Sequence, residues 1–313
     1  MTADRGGRDL VVALSGGIGG AKLALGLSHV VAPENLLIVA NTGDDFEHLG
    51  LSVSPDIDTL TYTLAGLDNQ VLGWGRRDET WSFMATLESV GGPTWFRLGD
   101  RDLALHVERT RRLKAGETLS AVTADVARRW GIAARIVPMS DDPVRTRVLS
   151  EAGWIDFQDY FVGQQCRPVV KALAFVGADQ AVAQPEVLAA LASPRLRAVV
   201  ICPSNPFISV EPILAVPGIR AAISGCGAPV IAISPIIGGK AVKGPTAKMM
   251  AELGLEVSAA GVAARYGALI SHYMLDHEDA GAVVAQQAHH AQTLMKTLDD
   301  KIALARAVLA AIA

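Results

Sequence analysis

Two short apolar runs near the N-terminus, each broken off by a polar loop, constrain this chain more than any other feature. Leu10 to Leu14 runs into Ser15-Gly16-Gly17-Ile18-Gly19-Gly20-Ala21-Lys22, and Leu36 to Ala40 runs into Asn41-Thr42-Gly43-Asp44-Asp45-Phe46-Glu47. Each reads as a buried strand that ends at a loop. The first loop continues into a helix start, and a glycine turn at a helix N-terminus turns backbone N–H groups toward an anion, with Lys22 adding a full positive charge. The second loop places adjacent carboxylates, Asp44 and Asp45, beside it, and such hard oxygens suit magnesium shared with phosphate. Together the loops point to nucleotide or phosphoryl-transfer chemistry.

Neither of the two common phosphate motifs accounts for the first loop. Counting from Gly17, a dinucleotide fingerprint would need a third glycine where Lys22 stands, and Ala21-Lys22-Leu23 fails a P-loop on both flanks of its lysine. Two readings of Gly17, Gly19 and Gly20 stay open: amides for a phosphate, or a turn that only has to pack closely. Asp44 and Asp45 likewise either hold a metal or cap their own turn.

The rest of the chain repeats the strand-then-loop pattern. Further strands are predicted at Arg135 to Val137, Ala172 to Val176, Ala198 to Ile201, Pro229 to Ser234 and Ala268 to Tyr273. Helices are predicted at Ala21 to Val31, Thr59 to Gly66, Ser120 to Trp130, Pro185 to Ala192, Ala247 to Leu253 and Asp279 to Ile312. This alternation implies an α/β, Rossmann-like three-layer fold with a mostly parallel sheet. Residues 73–131 break the rhythm, being rich in tryptophan and arginine with few strand signals. They are read as a mainly helical insertion or cap, leaving 1–72 and 132–313 as the nucleotide- and phosphate-binding core.

Composition narrows the class. Half of the 313 residues are hydrophobic but only 5% are aromatic, so the core must be built from Ala, Val, Leu and Ile. A net charge of -4 gives no general attraction to nucleic acid or anionic lipid, so any anion site must be local. Cys166, Cys202 and Cys226 lack zinc spacing and are too few and too scattered for a disulfide framework. Met1 to Asp9 is polar with no long apolar span after it, and Ile302 to Ala313 is interrupted by Arg306 and too short to cross a membrane. The expectation is a cytoplasmic protein without membrane or nucleic-acid partners.

Two more loops follow predicted strands and carry polar groups: Cys202-Pro203-Ser204-Asn205-Pro206-Phe207, and Pro235 to Thr246 with Gly238-Gly239-Lys240 inside it. In an open α/β sheet such loops converge beyond the carboxyl ends of the strands. Gly239 and Lys240 read as a second phosphate clamp, Lys243 as a solvated loop charge, and Ser204 with Asn205 as base or phosphate partners. Ser54-Pro55-Asp56-Ile57-Asp58-Thr59 has the grammar of a helix start, from which Asp58 is a candidate third oxygen ligand for the metal. Trp95-Phe96-Arg97-Leu98-Gly99-Asp100-Arg101-Asp102 offers a planar ligand a stacking face and charged partners. His289 and His290, consecutive on a predicted helix, face different ways, while His48, His106, His272 and His277 show no ligand spacing.

These loops, taken in order from about Leu10 to Thr246, resemble the CofD family, whose best-known activity is 2-phospho-L-lactate transfer in coenzyme F-420 biosynthesis. The resemblance implies attack by the terminal ribityl hydroxyl of the deazaflavin Fo on a guanylyl diphosphate donor carrying a lactyl, enolpyruvyl or glyceryl group. GMP would leave, with no covalent enzyme intermediate. It further implies Mg2+ held by Asp44, Asp45 and Asp58, with one aspartate orienting or deprotonating the Fo hydroxyl. The Gly16 to Lys22 loop and Gly239-Lys240 would hold the diphosphate, Ser204 and Asn205 would lie near the guanosine, and Trp95 and Arg97 near the deazaflavin. A homodimer is implied as well. The alternative is a regulator of the same superfamily that binds a nucleotide or nucleotide sugar without transfer.

Overall fold

The structure is a computed structural model that describes residues 7–70 and 73–313. Most of the polar leader Met1 to Asp9, and the expected boundary at residue 72, lie outside the described residues.

Seven strands form the central sheet: β1 Leu10–Ser15, β2 Leu36–Ala40, β3 Arg135–Pro138, β4 Leu196–Ile201, β5 Val230–Ile233, β6 His272–Asp276 and β7 Gln287–Ala291. All neighbours run parallel, in the spatial order β7-β6-β5-β4-β1-β2-β3. From β1 the chain builds outward to β3, then returns to the other side of β1 and builds outward to β7. The order therefore reverses between β1 and β4, the crevice where open α/β sheets bind ligands.

Burial on both faces explains why β1 and β2 read as continuous apolar runs rather than alternating ones. Val11 to Leu14 and Ile38 to Ala40 are fully buried. One face is covered by α1 (Gly17–Ser28) and by the helix Leu298–Ala311, the other by helices that include Pro185–Leu191 and Ile219–Gly225. A methyl group at Gly26 would lie 2.1 Å from the carbonyl oxygen of Lys301, so only glycine lets α1 and the last helix approach so closely.

Residues 73–131 contain three helices, α3 (Ser82–Ser89), α4 (Asp100–Lys114) and α5 (Leu119–Arg129), which follow α2 (Pro55–Leu64). Leu119 joins the core against β2 and β3, so α5 is part of the sheet's own cover. Three expectations need correction. Ala172–Val176 is a strand, but it pairs antiparallel with Arg145–Ser150, which also pairs with Gly153–Asp156, in a separate small sheet. The strand expected at Ala268 to Tyr273 begins later, at His272. The long helix expected over Asp279 to Ile312 contains β7 and becomes helical only at Leu298, where Thr297 and Asp300 form a capping box. Pairing with β6 overrides the helix preference of the alanines in Gln287–Ala291. His289 and His290 thus sit on a strand, with Nε2 of His289 3.0 Å from Nδ1 of His272. Among the described residues no single helix is long and apolar enough to cross a membrane.

Candidate active site

A cavity of about 950 Å3 opens at the carboxyl ends of β1, β2, β4 and β5 and is closed on one side by the Thr293–Lys296 loop after β7. The loop after β1 forms its floor. Gly17, in the left-handed region at φ 64°, donates its N–H to Asp56 Oδ1 at 2.5 Å, and Asp56 Oδ2 accepts from Asn41 Nδ2 at 2.9 Å. Asp56, in the first turn of α2, therefore ties the β1 loop to the β2 loop, and the Gly17 amide is already committed. Ser204 is tied in the same way, its hydroxyl accepting from Gly16 N and donating to Gly16 O. Packing also decides two further glycines. A methyl group at Gly19 would stand 2.2 Å from the carbonyl oxygen of Pro203, and one at Gly20 would stand 2.5 Å from Ser15 Oγ. Gly17 and Gly19 border the cavity, whereas Gly20 is buried beneath it. The close-packing account thus holds for much of this turn; Gly16 at the N-cap of α1 has no capping side chain of its own, and Asp56 takes the Gly17 amide, which leaves the next amides of the first turn toward the cavity.

The carboxylates divide by what they touch. Asp44 borders the cavity, and burial, reinforced by Asp56 and Asp45, raises its proton affinity well above that of an ordinary carboxyl. Asp45 turns away from the cavity lining. Its Oδ2 accepts from Ser54 Oγ at 2.7 Å, its Oδ1 is buried without a partner, and burial pushes its pKa up to about 7 against the pull of Arg145. Burial also raises Asp56 to about 6, against the donors Asn41 and Gly17. Asp58, expected as a third metal ligand, instead has both oxygens occupied by the buried Arg109 guanidinium, with Arg109 Nη1 3.1 Å from Oδ2. Among the described residues Asp44, Asp45 and Asp56 make no ion pair; Asp44 and Asp56 border the cavity, where their hard oxygens suit a divalent cation such as magnesium, and Asp45 is buried beside Asp44. Sequence reasoning missed Asp56 as a site residue, because its place in the first turn of a helix already explained it.

Of the two lysines expected in the cationic wall, Lys22 borders the cavity and Lys240 does not. Lys22 Nζ donates to Met295 O at 3.0 Å, and burial first, then the charges of Lys243 and Lys301, lower its pKa. Lys243 also borders the cavity and donates to Gly73 O at 3.2 Å. Gly239 and Lys240 do not border it. They turn the small hairpin Ile236–Ile237 and Lys240–Ala241, whose Gly238 and Gly239 both have positive φ. The hairpin carries Lys240 away and brings Lys243 in, reversing the roles read from sequence. Asn205 borders the cavity, yet its Oδ1 caps Phe207 N at 2.9 Å.

Aromatic groups make the remaining wall. Trp95, Phe96 and Arg97 all border the cavity, and Trp95 remains 40% exposed while standing edge-on to His48 with centroids 5.1 Å apart. The Arg97 guanidinium lies 4.3 Å above the Trp81 ring. A half-exposed indole beside a held guanidinium offers a flat ligand a stacking surface.

A doubly covered parallel sheet in Rossmann order, with anionic, cationic and aromatic walls meeting at its switch point, is the layout in which open α/β enzymes bind their ligands. The model of the family described as 2-phospho-L-lactate transferase CofD matches residues 11–311, and the chain belongs to that family. It is a transferase. A phosphoenolpyruvate transferase of Streptomyces griseus is 44% identical over 310 residues, covering 96% of this chain and 97% of that protein. One of Mycobacterium tuberculosis is 40% identical over 286 residues, covering 85% and 86%. A solved UPF0052-family protein of Bacillus halodurans superposes with a TM-score of 0.62 at 14% identity, covering 96% of this chain and 99% of that one, which shows the shared fold.

Proposed function

We propose that this enzyme transfers a phosphoenolpyruvyl group from a guanylyl diphosphate donor to the terminal ribityl hydroxyl of the deazaflavin Fo, releasing GMP. The observation that carries this reading is the meeting of three chemistries in one cavity: paired lysines, desolvated carboxylates and a half-exposed aromatic wall. The choice of the enolpyruvyl donor over a lactyl or glyceryl one rests on the names of relatives 40–44% identical to this chain.

In the reaction the acceptor oxygen attacks the phosphorus that bears the three-carbon group, the bond to the GMP phosphate breaks, and the hydroxyl proton is lost. Lys22 and Lys243 hold the anionic diphosphate, and the first-turn amides of α1 beyond Gly17, whose own N–H is taken by Asp56, add backbone donors. Asp44 on the cavity wall, with Asp45 buried behind it, carries the negative charge that would hold magnesium, which when bound neutralises diphosphate charge. Asp44, the member of the pair that faces the cavity, is the better placed to orient the hydroxyl or take its proton. Trp95 and Arg97 hold the tricyclic ring, and the residues around them exclude water that would otherwise hydrolyse the donor.

The test is to combine the protein with magnesium, Fo and each of the three donors, following GMP release and product mass. The enolpyruvyl donor should give GMP and a product heavier than Fo by the phosphoenolpyruvyl group. Tight binding of a guanine nucleotide with no GMP release from any donor would favour the regulator instead.

A further inference from the structure

The Leu98–Asp102 stretch contains two aspartates with separate work. Asp100 accepts from Ser82 N at 3.1 Å and Phe83 N at 3.0 Å, so it fixes the start of α3. Glu79 accepts from Arg101 N at 2.7 Å and Asp102 N at 2.9 Å, capping α4 from outside. Asp102 is thereby relieved of capping its own helix and stands in the cavity wall.

Its surroundings are unusually complete on one side and open on the other. Asp102 Oδ1 accepts from the Tyr62 hydroxyl and lies 3.3 Å from Nε2 of His106. His106 is 1% exposed, borders the cavity, and has Nδ1 3.3 Å from Arg109 Nη1. A guanidinium can only donate, which makes Nδ1 the acceptor and assigns the ring proton to Nε2, whose 3.3 Å approach to Asp102 Oδ1 is a charge contact and not an aligned hydrogen bond. Arg109 in turn is held by Asp58. This row of side chains aims the Asp102 carboxylate, and among the described residues no protein donor reaches its Oδ2. The same imidazole connects to the aromatic wall: His48, which carries Trp95 edge-on, lies close enough to His106 for their charges to interact.

A metal ion is a poorer account of this cluster. Ligand atoms of Asp58, Asp102 and His106 lie within 4.8 Å of one another. However, the two carboxylates face different nitrogens of the ring, and Arg109 already occupies both oxygens of Asp58. A phosphate is excluded by like charge. Burial alone would raise the Asp102 pKa, but His106, Tyr62 and Arg109 outweigh it and hold the carboxyl below its ordinary value, ionised at neutral pH. An ionised, half-open carboxylate beside an aromatic surface suits neutral hydroxyl donors attached to a flat ring.

We propose that Asp102 Oδ2 accepts hydrogen bonds from the sugar-alcohol chain of the ring-bearing acceptor, with His106, Arg109 and Tyr62 as positioning residues. The inference rests on the acceptor reading given above. It assigns Asp102 to specificity for the hydroxylated chain, apart from Asp44 at the reacting phosphate. A buried acceptor left unpaired by a ligand without hydroxyls is what penalises that ligand.

The experiment compares two fluorescent ligands, Fo and a deazaflavin with a plain alkyl group at the same ring nitrogen, titrated against the full-length protein. Wild type should bind Fo at least about tenfold more tightly than the alkyl compound, the size of a charge-assisted hydrogen bond. Asp102→Asn should lose that preference while binding the alkyl compound and GDP as before. Asp102→Glu, which keeps the charge beside His106 but moves the oxygen, should also lose it and guards against a variant that fails to fold. His106→Ala should lose the preference and His106→Gln, which retains a donor, should restore part of it, a pattern that a purely structural role would not produce. An unchanged preference in Asp102→Asn and Asp102→Glu, or equal losses for both ligands, would overturn the inference. Wild type that binds neither ligand would overturn the acceptor reading itself.

Discussion

Replacing Asp45 by Asn should make the metal-free protein more stable at neutral pH. Burial raises this carboxyl from 3.8 to about 7, so over that interval the native state keeps a proton that the unfolded chain has lost. The native state binds more protons, and stability from this group therefore falls as pH rises through the window. At about 1.36 kcal/mol for each tenfold change in proton affinity, the full penalty is about 4 kcal/mol above pH 7, and less than half of it has developed by pH 5. An amide of nearly the same volume carries no charge to desolvate. With an unfolding entropy of about 2.1 cal/mol/K per residue, 4 kcal/mol corresponds to about 6 °C in a chain of 313 residues. Calorimetric melts in EDTA at pH 5 and pH 8, for wild type and Asp45→Asn, measure the difference directly. The variant should melt higher by up to about 6 °C at pH 8, with less than half that gap at pH 5, and added magnesium should stabilise wild type more than the variant. A variant that melts lower than wild type at pH 8 in EDTA, or a gap that does not change with pH, would refute the reasoning.

Lys22→Ala and Lys243→Ala should each weaken GDP binding by about tenfold or more in calorimetric titrations, whereas Lys240→Ala, on the outward turn of the hairpin, should leave it unchanged. Arg109→Leu leaves Asp58 buried and unpaired and should cost about 3–5 kcal/mol in denaturant unfolding, partly recovered when Asp58→Asn is added. Gly19→Ala forces a methyl group against the Pro203 carbonyl and should cost about 1–3 kcal/mol along with transfer activity. Gly225→Ala, which meets open space, serves as its silent control. Steady-state kinetics should find that Trp95→Ala and Arg97→Ala raise the apparent KM for Fo with little change for the donor; equal changes for both substrates would remove these residues from the acceptor wall.

The central sheet was legible because parallel strands buried on both faces must be apolar along their whole length, as Leu10 to Leu14 and Leu36 to Ala40 are. The polar loops after them were legible for the complementary reason, since ligand-binding backbone cannot sit inside such a core. β7 was not, because Gln287–Ala291 has a helix-favouring composition and becomes a strand only through its partner β6.

Sequence alone determined the alternating architecture and which loops carry polar or charged groups at the carboxyl ends of β1, β2, β4 and β5. Tertiary structure decided what each charge does. Asp56 and Asp58 are two positions apart on one helix, so their side chains point about 200° apart around its axis. One meets Gly17 and Asn41, and the other meets Arg109, 51 residues further along the chain. Lys240 and Lys243 are three positions apart, and a two-stranded turn sends only the second into the cavity. Local spacing sets where a side chain leaves the backbone; the partner that sets its charge state and its role comes from distant sequence, brought near only when the sheet assembles.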